Sequence, residues 1–309
     1  LGVQVRQPIG AAGLVVQLRR RVALQHQHPA GRQRIDGIDD GRGAVRRQRV
    51  VERRALGERI GQAVTPLAHR AYHNRSARRP ENSLAAVRAA VAAGYGIEID
   101  LQLSKDGVAM VFHDEWMERL TEATGFVKNY TAAELAQIKL RDSDETIPSL
   151  AEVLAQIAGQ VPLLIEIKDQ TDTMSETDGQ LEAATAAALV GYNGPVAVMS
   201  FNPHAIAHMA RLAPKLPRGL TTSAYDPADW APLAPETCAR LRPIPDYDRT
   251  LSSFISHEAA DLPAPRVAEL KAQGATILCW TIRSPEAEAE ARKIADNVTF
   301  ESYPAKFPA

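Results

Sequence analysis

A chain of 309 residues with 45% hydrophobic side chains can bury a large core and is long enough for one barrel-sized domain or two ordinary ones. Its two cysteines, Cys238 and Cys279, exclude a disulfide framework, and Cys279 in the apolar run "TILCW" reads as a buried thiol. No uninterrupted apolar run reaches the ~18 to 20 residues of a membrane span, so a soluble protein is expected, bacterial and cytoplasmic, with no clear signal peptide and no stable membrane insertion.

The net charge of −1 hides an asymmetry. Residues 1–65 hold thirteen Arg, no Lys and five acids, giving +8, whereas the remainder holds 23 basic and 32 acidic side chains, giving −9. The same 65 residues contain no Phe, Tyr, Trp, Met or Cys and so few groups able to nucleate a core. Residues 1–64 are therefore expected to be a disordered extension, or upstream sequence outside the native domain, and residues 65–309 a single folded domain.

From Thr65 onward, short apolar runs alternate with helical patterns. "TPLAHR" predicts a strand and "ENSLAAVRAAVAAG" a helix, with Asn82 or Ser83 near its N-cap and Gly94 just past its end. "GIEIDLQL" and "VAMVFHD" predict two strands joined by the hairpin-type connection "SKDG". The helical patterns "TAAELAQI" and "SLAEVLAQIAG" lead to the strand "VPLLIEIKD". The alternation then continues through "DGQLEAATAAALVGY", "VAVMSF", "PHAIAHMARLAP", "RGLTTSA", "SSFISHE", "PAPRVAELKAQG", "TILCWTI", "SPEAEAEARKIAD" and "NVTFES". Roughly eight strands separated by helices predict an α/β fold, a (β/α)₈ TIM barrel. A doubly wound sheet is the alternative, but no glycine-rich phosphate loop follows any strand.

In "GYGIEIDLQLS", Glu98 and Asp100 alternate with Ile97, Ile99 and Leu101, so the two carboxylates share one face of a strand. Taken alone, that pattern also suits an antiparallel strand with one wet face. In a barrel, helices cover the outside and side chains fill the inside, so the acids need partners, and the C-terminal ends of the strands are where sites are built. His69 and Arg70, Glu98 and Asp100, His113 and Asp114, and Glu166 and Lys168 end what read as four consecutive barrel strands. Glu98, Asp100 and Glu166 form an all-oxygen set suited to a hard divalent cation, Mg²⁺ or Ca²⁺. His69 and His113 suit general acid and base roles, and Arg70 and Lys168 supply fixed positive charge for a phosphate. Together they describe cleavage of a phosphate ester.

The order and spacing of "AHR", "RPENSLAA", "EIDLQLSKDGVAMVFHD", "LLIEIK", "VMSF" and "CWTI" resemble the glycerophosphodiester phosphodiesterase family, phospholipase C-like barrel enzymes, over about residues 66–305. The resemblance implies a TIM barrel that hydrolyses glycerophosphodiesters, small-molecule substrates, to glycerol 3-phosphate and an alcohol with a divalent metal. It implies His69 and His113 as the acid and base pair, Glu98, Asp100 and Glu166 as metal ligands, and Arg70 and Lys168 as phosphate contacts. Glu81 and Asn82 match a motif that orders the site, although they also read as a plain helix N-terminus. Trp280 resembles the aromatic wall of the glycerol pocket or is a core Trp, and Ser200 and Phe201 match a strand-end element of the pocket. Two departures stand out: Ala71 where the family usually has Gly, and Glu301 and Ser302 where it often has Thr and Asp. Arg75, Arg78, Arg79 and His73 add positive charge to the loop after Ala71, where they read as a solvated face or a selector of anionic head groups. The alternatives are a lysophospholipase D-like or phospholipase C-like enzyme acting on lipids, a barrel glycosidase using Glu98 and Glu166, and a non-catalytic phosphodiester-binding barrel. No nucleic-acid partner is expected.

Overall fold

The computed structural model describes residues 65–308. The expected extension over residues 1–64 lies outside them.

Among the described residues, nine strands form one sheet. They are β1 (Leu67–Ala68), β2 (Gly96–Leu103), β3 (Ala109–Val111), β4 (Leu163–Ile167), β5 (Val196–Ser200), β6 (Arg218–Thr222), β7 (Phe254–Glu258), β8 (Thr276–Ile282) and β9 (Asn297–Phe300). The order is β1-β9-β8-β7-β6-β5-β4-β2-β3, and β1 pairs in parallel with both β9 and β2. That second pairing closes eight parallel strands into the expected (β/α)₈ barrel.

The ninth strand corrects the predicted order of staves. "VAMVFHD" does not supply a barrel strand, because β3 runs antiparallel to β2, with Leu101 opposite Val111 and Leu103 opposite Ala109. Consequently β4 is the immediate neighbour of β2, and Glu166 lies directly beside Asp100 in the register. The reason is local. Glycine at position 107 takes φ +81° in the turn "SKDG", which returns the chain at once, whereas a parallel crossover needs a dozen residues or more.

The helices follow their caps. Helix α1 (Leu84–Ala93) starts at Ser83, whose side chain accepts from the Ala86 amide, and stops at Gly94 with φ +76°. Next come the short α2 (Ala132–Leu135) and α3 (Leu150–Ile157), the latter opened by a capping box of Ser149 and Glu152. They are followed by α4 (Gln180–Ala188), α5 (Pro203–Leu212), α6 (Pro235–Leu241), α7 (Pro265–Ala272) and α8 (Pro285–Ala291). Helix α6 was not expected. Its seven residues "PETCARL" are too few to show a helical period in sequence.

The alternation of β2 sorts its side chains between two layers. Ile97, Ile99 and Leu101 point outward into a cluster with Ala86, Val87 and Ala90 of α1 and Leu150, Val153 and Leu154 of α3. Each fully buried side chain of this kind stabilises the fold by about 1.5–3 kcal/mol. Glu98 and Asp100 point inward, and both are fully buried, which removes the wet-face reading of this strand. Below them Leu67, Leu164, Ala197, Met199, Phe254 and Leu278 plug the barrel. Gly219 makes room for that plug, since a Cβ there would stand 2.3 Å from the Phe254 ring and 2.6 Å from the Phe254 carbonyl oxygen. Gly219→Ala is expected to destabilise the protein by about 1–3 kcal/mol through overpacking. Urea denaturation checks this, and an unchanged midpoint would show that β7 shifts freely.

Cys238 and Cys279 are buried free thiols, as expected for Cys279. Among the described residues no helix is long and apolar enough to cross a membrane.

Candidate active site

At the C-terminal rim of the barrel a cavity of about 170 Å³ gathers His69, Arg70, Glu98, Asp100, His113, Glu166 and Lys168. Trp280 lines the same cavity, so eight of the ten residues predicted for the site meet in one place. A larger groove of about 810 Å³ at the opposite end, beyond the C-termini of α4 and α5, has Lys215 as its sole charged wall residue and offers no comparable chemistry.

The three acids converge because β2 and β4 are neighbours. One oxygen from each of Glu98, Asp100 and Glu166 lies within 4.8 Å of the others. Their orientation is held from behind: the Arg70 amide donates to Glu98 Oε2 at 2.9 Å, and Asn82 Nδ2 donates to Asp100 Oδ2 at 2.9 Å. Burial pushes the Glu98 pKa well up, and the nearby Asp100 and Glu166 push it further. Burial acts on Asp100 in the same sense, but Lys168, His113 and Arg70 outweigh it and keep this carboxylate charged. Lys168 Nζ sits 2.7 Å from Asp100 Oδ1 and 2.5 Å from Glu166 Oε1. Burial disfavours the ammonium, yet the two carboxylates outweigh that and raise its pKa. A converging all-oxygen set with an excess of buried negative charge fits a hard divalent cation.

Each histidine is paired through Nδ1. His69 Nδ1 donates to Glu301 Oε2 at 2.6 Å, and His113 Nδ1 donates to Asp114 Oδ1 at 2.7 Å. Because a carboxylate only accepts, both rings carry the proton on Nδ1 when neutral and leave Nε2 with its lone pair. Burial lowers the His69 pKa, and the hydrogen bond to Glu301 offsets this in part. Glu301 is clamped further by Arg283 Nε at 2.7 Å, with His73 Nε2 3.6 Å away. The hydrogen bond from His69 holds the Glu301 carboxyl far below its usual range.

Glu81 and Asn82 reach the site through other residues and do not border the cavity. Glu81 Oε1 accepts from Arg70 Nη1 at 2.8 Å, and Asn82 bonds Asp100. The backbone here is tightly wound, with Arg70, Ala71 and Asn82 at φ +50°, +64° and +57°. An L-residue in this left-handed region costs on the order of 1 kcal/mol, which explains why glycine suits position 71. Ala71 is held there by its amide, which donates to the Glu98 carbonyl at 2.8 Å. Trp280 and Phe201 form the apolar wall, ring to ring at 5.5 Å and nearly perpendicular. Ser200 stands apart, donating to the Ile167 carbonyl at 2.6 Å.

Glu301 was anticipated only as a departure from the family pattern, and Arg119 not at all. Arg119 pairs with both Asp114 and Glu81. Burial raises the pKa of Glu81 and of Asp114, but their bonded partners outweigh it and hold both well down. Three carboxylates, Glu81, Asp114 and Glu301, therefore lose their protons more readily when folded than unfolded. Their stabilisation is complete above the unfolded values near pH 4 and is lost as the pH falls below them. Glu98 acts in the opposite sense: its pKa is raised in the folded state, so acidification favours the fold from that raised value down to the ordinary carboxylate range, where the unfolded chain takes up the same proton. Urea midpoints are expected to drop below about pH 4, and a midpoint unchanged down to pH 3 would contradict these pairings.

Comparison with known proteins agrees with the geometry. The profile of the glycerophosphoryl diester phosphodiesterase family matches residues 69–299, well over half of the chain. A glycerophosphodiester phosphodiesterase of Caldanaerobacter subterraneus is 33% identical over 157 residues, spanning 48% of this chain and 64% of the relative. A Bacillus subtilis relative is 25% identical over 243 residues, spanning 76% of this chain and 93% of its own. Among solved structures, an Oleispira antarctica phosphodiesterase in complex with its product sn-glycerol-3-phosphate superposes with a TM-score of 0.62 at 26% identity, covering 78% of this chain and 93% of the other. A Thermotoga maritima glycerophosphodiester phosphodiesterase superposes with a TM-score of 0.57 at 21% identity, which supports the fold alone. From its profile match and the barrel beneath it, the chain belongs to the glycerophosphoryl diester phosphodiesterase family of phosphoric diester hydrolases.

Proposed function

We propose that the barrel of residues 65–309 hydrolyses glycerophosphodiesters to glycerol 3-phosphate and an alcohol. The observation that carries this reading is the placement of two carboxylate-paired histidines and two cations around one buried triad of acids. The product bound to the Oleispira antarctica relative supports the glycerol 3-phosphate half of the substrate.

Glu98, Asp100 and Glu166 would hold a divalent cation, Mg²⁺ or Ca²⁺, and such an ion polarises a phosphoryl oxygen. Arg70 at the cavity wall binds the phosphate, while Lys168 balances the acids beside it. Trp280 and Phe201 pack the carbon side of the glycerol. His69 has the lower-than-usual pKa and stays neutral near pH 7, so its Nε2 takes the proton of the attacking nucleophile. His113, carrying a second proton on Nε2 as the imidazolium, is then left to give that proton to the departing alcohol. Neither task suits the acids, which are committed to Lys168, Arg70 and Asn82.

A lipid-bearing alcohol is the second reading. Trp116, three residues past His113, is half exposed and lies against Phe126 with ring centroids 3.8 Å apart. Hydrolysis of glycerophosphocholine and of lysophosphatidylcholine, each with EDTA and then with Mg²⁺ or Ca²⁺ restored, separates the two readings. Turnover of glycerophosphocholine that requires the cation is expected. Turnover indifferent to chelation would remove the metal role, and turnover of the lipid alone would replace the first reading by the second.

A further inference from the structure

Arg119 stands behind the rim, outside the cavity, and makes four charge-assisted hydrogen bonds to two carboxylates. Its Nε and Nη2 donate to Asp114 at 2.5 and 2.9 Å, and its Nη1 and Nη2 donate to Glu81 at 3.0 and 2.7 Å. Each carboxylate is committed in turn to a different wall of the cavity. Asp114 Oδ1 receives His113 Nδ1 at 2.7 Å, and Glu81 Oε1 receives Arg70 Nη1 at 2.8 Å.

We propose that Arg119 is a positioning residue that fixes His113 and Arg70 relative to one another, so that the proton donor and the phosphate ligand are set as one unit. The proposal rests on the roles given above to His113 and Arg70. His113 comes from the β2–β3 hairpin, whereas Arg70 follows β1. Among the described residues, Arg119 is the side chain that ties both carboxylates together. A planar guanidinium presents its donors in a fixed fork and can serve two carboxylates at set angles, whereas a lysine ammonium is a single point charge on a flexible stem. The side chain of Arg119 is 46% exposed, so its ion pairs add little to folding stability. A kinetic effect can therefore be separated from unfolding.

The test uses the full chain with the required cation, and the variants Arg119→Ala, Arg119→Lys, Asp114→Asn and the double variant Arg119→Ala/Asp114→Asn. For Arg119→Ala, kcat on glycerophosphocholine is expected to fall by about 100-fold, since small misplacements of reacting groups cost that much, and KM is expected to rise because Arg70 loses its brace. Arg119→Lys is expected to recover only part of the loss, and it supplies the measurement where the Ala variant fails to fold. The double variant should have nearly the kcat of Asp114→Asn alone. The proposal is overturned by Arg119→Ala constants close to wild type, by full rescue with Lys, or by additive losses in the double variant. A wild-type protein without phosphodiesterase activity would instead sink the functional reading. In that case the NMR signal of the His113 Nδ1 proton still decides: a signal lost or moved in Arg119→Ala supports the positioning role, and an unmoved one removes it.

Discussion

His69→Ala is expected to lower kcat by about 10²–10⁴-fold, the range found when a positioned proton-transfer group is removed. His69 follows the two-residue stave β1, with its amide bonded to the Phe300 carbonyl and its ring fixed by Glu301. None of the three lining acids is free to replace it, because Asp100 and Glu166 are bound to Lys168 and Glu98 favours its protonated form. The lowered pKa of His69 sets the direction of the pH dependence. The base is competent once neutral, so the acid limb of kcat/KM is expected below the ordinary histidine value of about 6.5 and is expected to vanish in the variant. Steady-state kinetics from pH 5 to 9 measure both. A variant that keeps more than a tenth of the wild-type kcat would take the base role away from His69.

Lys168→Met is expected to be the most destabilising single change at the site, by about 3–5 kcal/mol without divalent cation, since it strips the partner from a buried ion pair. Asp100 and Glu166 would then face each other and Glu98 with Arg70 and His113 left opposite. The same loss makes the site a stronger attractor for a cation. Mg²⁺ or Ca²⁺ is therefore expected to raise the melting temperature of Lys168→Met more than that of the wild type. Thermal denaturation with and without the ion checks this. Equal ion-induced shifts in the two proteins would separate Lys168 from the proposed metal site.

The barrel was legible because its strands carry the alternation of buried staves and its helices carry caps, as in Ser83 and Gly94 around α1. Glu98 and Asp100 were legible for the same reason, since a period of two places them together wherever the strand goes. The hairpin connection "SKDG" announced the antiparallel return of β3, but that this run is not a stave of the barrel was harder to read. A short apolar run looks alike in a parallel stave and in a hairpin return, and only the length of the connection distinguishes them. The roles of Glu301 and Arg119 left no local trace. Glu301 meets His69 across 232 positions, and Arg119 meets Glu81 across 38, distances at which no periodicity operates. Glu81 and Asn82 lie beside the cavity, but whether they face it or brace its walls depends on the left-handed turn at Arg70 and Ala71, which no residue preference announces.

The closure of the barrel has a temporal consequence. His69 follows the first strand and Glu301 follows the last, and the two meet only because β1 pairs with β9. A chain emerging from synthesis presents β2, β4 and their acids before β9 exists, yet His69 has no carboxylate to hold it until that strand docks. The orientation of the proposed base thus waits on the pairing that shuts the sheet, and is set late in the order in which the described residues are made.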